Sequence, residues 1–228
     1  MINDLQMNNA KKKTRARSPE KKAEQFDRIL EEGKEMFVKY GTHGFSTRAL
    51  AQKLGMTQPN LYNYVSSKRE LWIAIRRKYY DGFIEGTNNI IAEHKGSFSE
   101  LFYKFVEYFL EFASKDYKRF LLMFLLSAPP SKKVGPLEKS YQPYQIAKFI
   151  TELIRKATKA EEIDEDTAVQ RFYSIYAHIL GAAKVEADLK LRNKITEPIV
   201  GDFYTLTAKE YRSFVLKEIR NALRLPPQ

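Results

Sequence analysis

Gln58, Asn60 and Asn63 place three carboxamides within six residues, beside Tyr62 and just ahead of Lys68. A carboxamide offers a donor and an acceptor side by side, the arrangement that pairs bidentately with the edge of adenine. That chemistry works only if a rigid element presents the side chains together, so the flanking residues decide whether it is available. Residues 46–66 accommodate two short helices, 47–54 and 58–65, with a turn at Gly55, Met56 and Thr57. Ser46 and Thr57 are suited to cap the two helix starts. Ala51 is small where the two helices would cross, and Gly55 suits the positive φ of a tight turn. Leu50, Leu54, Met56 and Leu61 supply the apolar faces, and Pro59 fits the first turn of the second helix. The pattern is that of a helix-turn-helix, whose second helix lies in the major groove. As a plain packing hairpin the second helix would be too short, and too polar along one face.

Other chemistry finds less support. The chain has no cysteine, which excludes disulfides, thiolate zinc sites and a cysteine nucleophile. His43, His94 and His178 are far apart and fit no metal-ligand spacing. The acidic run from Glu161 to Asp166 sits at a predicted helix start, where carboxylates favour the dipole. Serine elbow, phosphate loop and dinucleotide fingerprint are all missing. The reading is therefore a non-enzyme with no catalytic residues, no metal and no cofactor.

The charge is uneven. The chain of 228 residues carries 39 Lys/Arg against 28 Asp/Glu. Residues 1–80 hold 17 of the basic and only 8 of the acidic side chains. A basic first third beside a near-neutral remainder points to one part that meets a polyanion and another with a different task. Charge alone fits nucleic acid or an anionic membrane surface. The basic N-terminus has no apolar signal-like stretch, and no uncharged run approaches the ~20 residues of a membrane span. A cytoplasmic location is expected.

Hydrophobic residues at 43% and aromatics at 13% are ample for a core. Residues 1–17 read as a basic disordered arm with Lys11, Lys12, Lys13, Arg15 and Arg17. Ser18-Pro19 starts a helix whose apolar stripe comprises Phe26, Ile29, Leu30, Met36, Phe37 and Tyr40, with Gly33 on the same face. Gly41 suits the position just past its end. Capping boxes at Ser67/Glu70, Ser97/Glu100 and Thr207/Glu210 start further helices. Others are expected over 116–127, from Pro143 to about 159, and from Asp164 to about 191, with a loop at 131–140. No window alternates as a strand would, so the fold class is all-α.

The run from Arg28 to Leu71 resembles the DNA-binding domain of the tetracycline-repressor (TetR) family. The matching residues are Ile29-Leu30, Phe37 followed by Gly41, Ser46-Thr47-Arg48, Leu50-Ala51, Leu54-Gly55, Leu61-Tyr62, Tyr64, and Ser67-Lys68 with Leu71. Thr42 and Val65 depart from the family pattern, which usually has an aromatic after the glycine and a phenylalanine before Ser66. The resemblance implies that Thr47 and Arg48 touch phosphates, that Gln58, Pro59, Asn60 and Tyr62 face the groove with Tyr64 at its edge, and that Lys68 meets phosphate at a helix N-terminus. It implies a helix-turn-helix domain over 18–66 and a regulatory and dimerisation domain over 67–228.

The expected protein is thus a homodimeric, sequence-specific transcriptional regulator, a repressor bound to a palindromic double-stranded operator and released by a hydrophobic small-molecule inducer. One rival is a DNA-binding protein of structural or nucleoid role without inducer. Another is a membrane-surface protein using the basic arm. The density of aromatics suggests a pocket lined by Phe105, Tyr108, Phe109, Phe112, Phe124, Tyr144, Phe172, Tyr176 and His178. The dimer interface is expected on the last two long helices, through Gly181, Ala182, Ala183 and Ala187 and the stripe Tyr211, Phe214, Val215, Ile219 and Leu223.

Overall fold

The computed structural model describes residues 18–132, 134–141, 146–162, 164–192 and 206–225. The basic arm, Pro143 and Tyr144 lie outside the described residues. Among the described residues the chain is helical throughout, without strands.

Helix α1 spans Pro19–Gly44 and is capped by Ser18, whose hydroxyl accepts from Lys21 N at 3.4 Å. Ile29, Leu30, Gly33, Met36 and Phe37 form its buried face. Tyr40 is not part of it: the ring is half exposed, because the helix kinks at Gly41 with φ +65°. That conformation needs glycine. The chain turns there through Thr42, which is buried, and Phe45 folds back to stack on Phe37 with centroids 3.9 Å apart.

Helices α2 (Thr47–Lys53) and α3 (Gln58–Tyr62) follow. Helix α4, Lys68–Glu93, then joins two cores. Its first turns pack Leu71, Trp72, Ile73 and Ile75 against α1–α3, where Gly33 lets α1 approach so closely that a Cβ would stand 2.9 Å from Ile75 Cδ1. Its later turns place Tyr80 and Phe83 in the second core, where the Phe83 ring meets Phe105, Phe109, Phe112 and Phe124.

Helix α5 (Phe98–Lys115) begins with both bonds of the Ser97/Glu100 capping box in place. The expected helix over 116–127 is shorter and broken: α6 covers Tyr117–Phe120, and Leu121–Leu125 form a π turn closed by Leu126 N to Leu121 O at 2.8 Å. The expected loop at 131–140 contains a helix, α7 (Pro136–Ser140). Its start is held from outside, by the buried Glu70 carboxylate accepting from Leu137 N at 3.1 Å and Glu138 N at 2.8 Å. A neighbour distant in sequence makes this helix, which local propensity does not foretell.

Helices α8 (Ile146–Lys159), α9 (Glu165–Arg192) and α10 (Ala208–Ala222) complete the second domain. The interface expectation needs correction here. Val215, Ile219 and Leu223 are 8%, 2% and 5% exposed and face the protomer's own core, as do Ala182 and Ala183. What remains outside is Phe214 on α10 and, on α9, Val169, Tyr173, Gly181, Val185 and Leu191.

Candidate functional site

The turn between α2 and α3 is built as its residue types require. Ser46 Oγ accepts from Ala49 N and Thr57 Oγ1 from Asn60 N, each at 3.3 Å. Gly55 sits at φ +66°, and Met56 N closes onto Ala51 O at 2.9 Å. Leu50, Ala51 and Leu61 are fully buried between the two helices and α1. Val65, one of the departures from the family pattern, is likewise buried. The smaller side chain fills its site without reaching the outer surface.

On the outer side, three of the expected DNA-contacting residues are tied together. Gln58 Nε2 donates to Thr47 Oγ1 at 2.9 Å, and Thr47 shares a second hydrogen bond with the Tyr62 hydroxyl at 3.2 Å. The start of α2 and the exposed face of α3 thus form one surface. Arg48 and Pro59 are exposed and Asn60 is half-buried, its Oδ1 accepting from Asn63 Nδ2 at 3.5 Å. Lys68 Nζ donates to Phe45 O at 3.3 Å, which couples the start of α4 to the α1–α2 connection. Tyr64 is half-buried. Its ring stacks on Phe26 of α1 with centroids 6.2 Å apart.

Residues 29–75 match the family model described as "Bacterial regulatory proteins, tetR family". This covers the helix-turn-helix just described and the α4 turns that pack on it. That segment thus resembles the DNA-binding domain of the TetR family. Among curated proteins the chain is similar to the HTH-type transcriptional activator FasR of Mycolicibacterium smegmatis, at 28% identity. That match takes in 42% of this chain and 43% of FasR, less than half of the relative's length. Solved structures agree with the fold over most of the chain. AibR in complex with isovaleryl coenzyme A and operator DNA superposes with a TM-score of 0.59 at 15% identity, covering 86% of this chain and 97% of that one. FadR from Bacillus subtilis in complex with stearoyl-CoA gives 0.54 at 16% identity, covering 85% and 97%.

A second feature lies behind the helix-turn-helix, along α4. A cavity of about 350 Å³ opens between α4, α5, the π turn, α8 and α9. Of the expected pocket residues, Phe105, Phe109, Phe124, Phe172 and Tyr176 line it. Three others do not. Phe112 is buried beneath the Arg119 guanidinium, 3.9 Å from its ring centroid, and Tyr108 turns its hydroxyl to Phe83 O at 3.3 Å. His178 is exposed, because Ile175, Ile179 and Ala182 set the buried face of α9 and residue 178 falls to one side of it.

Arg76 of α4, in the cavity wall, was missed in the sequence. Its signal was the spacing Trp72, Arg76, Tyr80, which stacks a cation between two aromatics on successive turns of one helix face. The guanidinium lies 5.0 Å from the Trp72 ring centroid and 5.2 Å from that of Tyr80. Burial raises the pKa of the Tyr80 hydroxyl, with the Arg76 charge opposing the shift. Among the described residues no three carboxylates or histidines gather as a metal site, and no helix is long and apolar enough to cross a membrane.

Proposed function

We propose that the chain is a homodimeric, cytoplasmic transcriptional regulator that reads a palindromic operator with α3 and leaves it when a hydrophobic small molecule enters the cavity. The observation that carries this reading is α4 itself. The same 26-residue helix packs its first turns into the helix-turn-helix core and lines the ligand cavity with Arg76 and Tyr80. A helix is stiff over this length, so a ligand that favours one position of α4 also favours one position of α3. Release on ligand binding makes the protein a repressor of the promoter it covers. A nucleoid protein without inducer has no use for such a cavity. AibR and FadR were crystallised with acyl-CoA esters, which supports a ligand with an apolar tail.

DNA contact divides into positioning and reading. Thr47, Arg48 and Lys68 hold phosphates from the starts of α2 and α4, where unpaired backbone N–H groups and the dipole both favour an anion. Gln58, Pro59, Asn60 and Tyr62 face the bases, and Tyr62 with Thr47 keeps the two helices in register. Two-fold symmetry doubles a surface too small for selectivity alone.

Operator binding by single variants tests the division. Gln58→Ala or Asn60→Ala should cost about 1–3 kcal/mol on the operator and relax base preference. Arg48→Ala should weaken binding to all sequences alike and lower the salt slope by about one. Equal losses on operator and random DNA for all three variants would refute the reading residues. A regulator that stays on its operator against every apolar ligand would instead favour the nucleoid role.

A further inference from the structure

We infer that the cavity takes an apolar monocarboxylate, its tail among the aromatic rings and its carboxylate on Arg76. This rests on the ligand-responsive reading above and adds the chemistry of the ligand's head. Arg76 is the one charged side chain among the described residues lining the cavity; the rest are aliphatic, phenyl or phenol groups. Trp72 and Tyr80 occupy the faces of its guanidinium, which leaves the in-plane N–H donors to find acceptors elsewhere. The Tyr80 hydroxyl meets part of that need, and Nε is left over. Arg76 Nε is buried without a hydrogen-bond partner, and no carboxylate among the described residues forms an ion pair with the guanidinium.

Two more buried donors lack acceptors nearby. One is Trp72 Nε1, on the ring stacked against Arg76. The other is the hydroxyl of Tyr141, close enough to feel the Arg76 charge. Buried donors without acceptors are costly, and a buried cation without an anion more so. Here a charged donor in the cavity wall keeps Nε unpaired, and two further unpaired donors stand beside it, outside the cavity lining. For Arg76, a carboxylate in the cavity supplies both the missing lone pair and the missing charge, in the planar geometry a guanidinium matches best.

The cavity also argues against a larger head. One cation balances one negative charge, whereas a phosphorylated thioester would bring several to a wall with a single guanidinium. The volume of about 350 Å³ lies at the low end of the roughly 300–1,000 Å³ usual for small-molecule sites. It suits a compact amphiphile that enters whole.

The reporter is built in. Trp72 is the single tryptophan of the chain and stacks on Arg76, so its fluorescence reads the occupancy of the guanidinium. The full chain is titrated with laurate, with 1-dodecanol, which has the same tail and a neutral head, and with lauroyl-CoA, while Trp72 emission and operator release are followed. Laurate should bind about ten- to a hundredfold more tightly than dodecanol, the range expected for a charge-assisted pair. Arg76→Gln should erase that preference while leaving dodecanol binding in place, which shows that the variant is folded. Arg76→Lys should retain much of the preference, and Arg77→Gln, on the exposed side of α4, should retain all of it. Equal binding of laurate and dodecanol by the unaltered protein overturns the carboxylate assignment and leaves the ligand-responsive reading standing. So does a preference for lauroyl-CoA that survives Arg76→Gln. If no probe binds or releases the operator, both fall together.

Discussion

Phe214→Glu should split the dimer into folded monomers, whereas the same charge one residue later, Val215→Glu, should unfold the protomer. The two side chains are neighbours in sequence and opposite in environment, 59% and 8% exposed. Phe214 stands outside on α10, and the neighbouring α9 adds its exposed Val169, Tyr173, Val185 and Leu191 as a surface for a second copy. Large apolar side chains left in water along two long helices mark an association surface. A carboxylate at position 214 costs the monomer little, since it replaces an exposed ring, but in a dimer it is buried without a counter-ion. Each half then meets only one half-site, and operator affinity should fall at least about a thousandfold, towards the level of non-specific binding. Val215 contacts the protomer's own core, so a carboxylate there should lower unfolding free energy by more than about 3 kcal/mol. Sedimentation, urea melts and operator titration separate the two outcomes. A Phe214→Glu protein that remains dimeric, or that binds the operator unchanged as a monomer, refutes this interface.

That contrast shows what an amphipathic pattern conceals. Tyr211, Val215, Ile219 and Leu223 recur at helical spacing, and the spacing correctly marks a face that must be buried. It carries no information on whether the covering surface is the same chain or another copy. Helix starts, by contrast, were legible because capping is local. Ser18, Ser46, Thr57, Ser67, Ser97 and Thr207 each accept the backbone bond their position implies. The helix-turn-helix could be read residue by residue for the same reason. Its turn, caps and crossing point all lie within 21 residues, 46–66, and need no distant partner. Only the contact of Tyr64 with Phe26, 38 positions earlier, reaches beyond that span unannounced.

Legibility falls as interactions lengthen. Helix α7 depends on Glu70, far back along the chain, and neither it nor the π turn at Leu121–Leu125 showed in the local sequence. The cavity was half legible. An abundance of aromatics predicted apolar walls, but which rings face the cavity and which pack elsewhere depends on how α4, α5 and α9 are rotated. Phe109 and Phe112 are three residues apart on α5, yet the first lines the cavity and the second lies under Arg119.

Glu70→Ala should both destabilise the protein and disconnect the cavity from the DNA-binding unit. Glu70 is 1% exposed on the first turn of α4, and its two carboxylate oxygens take the backbone N–H groups of Leu137 and Glu138. Arg69 beside it donates to Pro129 O at 3.2 Å and to Glu138 Oε1 at 2.7 Å. The start of α4 is thereby fastened to the segment between the π turn and α8, whose flanking elements both line the cavity. Truncation to alanine orphans two half-buried donors, each worth up to roughly 1–3 kcal/mol. Glu70→Gln removes one acceptor and turns an N–H₂ group towards an N–H, so it should be nearly as harmful. Gly135→Ala reaches the same contact from the other side. Its Cβ would stand 2.2 Å from Glu70 Cδ, although alanine suits the backbone there, at φ −86°. Glu138→Gln weakens only the partly exposed Arg69 pair and should cost about 1 kcal/mol or less. The measurements are urea melts, operator affinity, and the ligand concentration needed for release. The Glu70 and Gly135 variants should bind the operator while folded and need more ligand to leave it. If they melt early yet respond to ligand as the unaltered protein does, the Glu70 contact holds the fold together and transmits nothing.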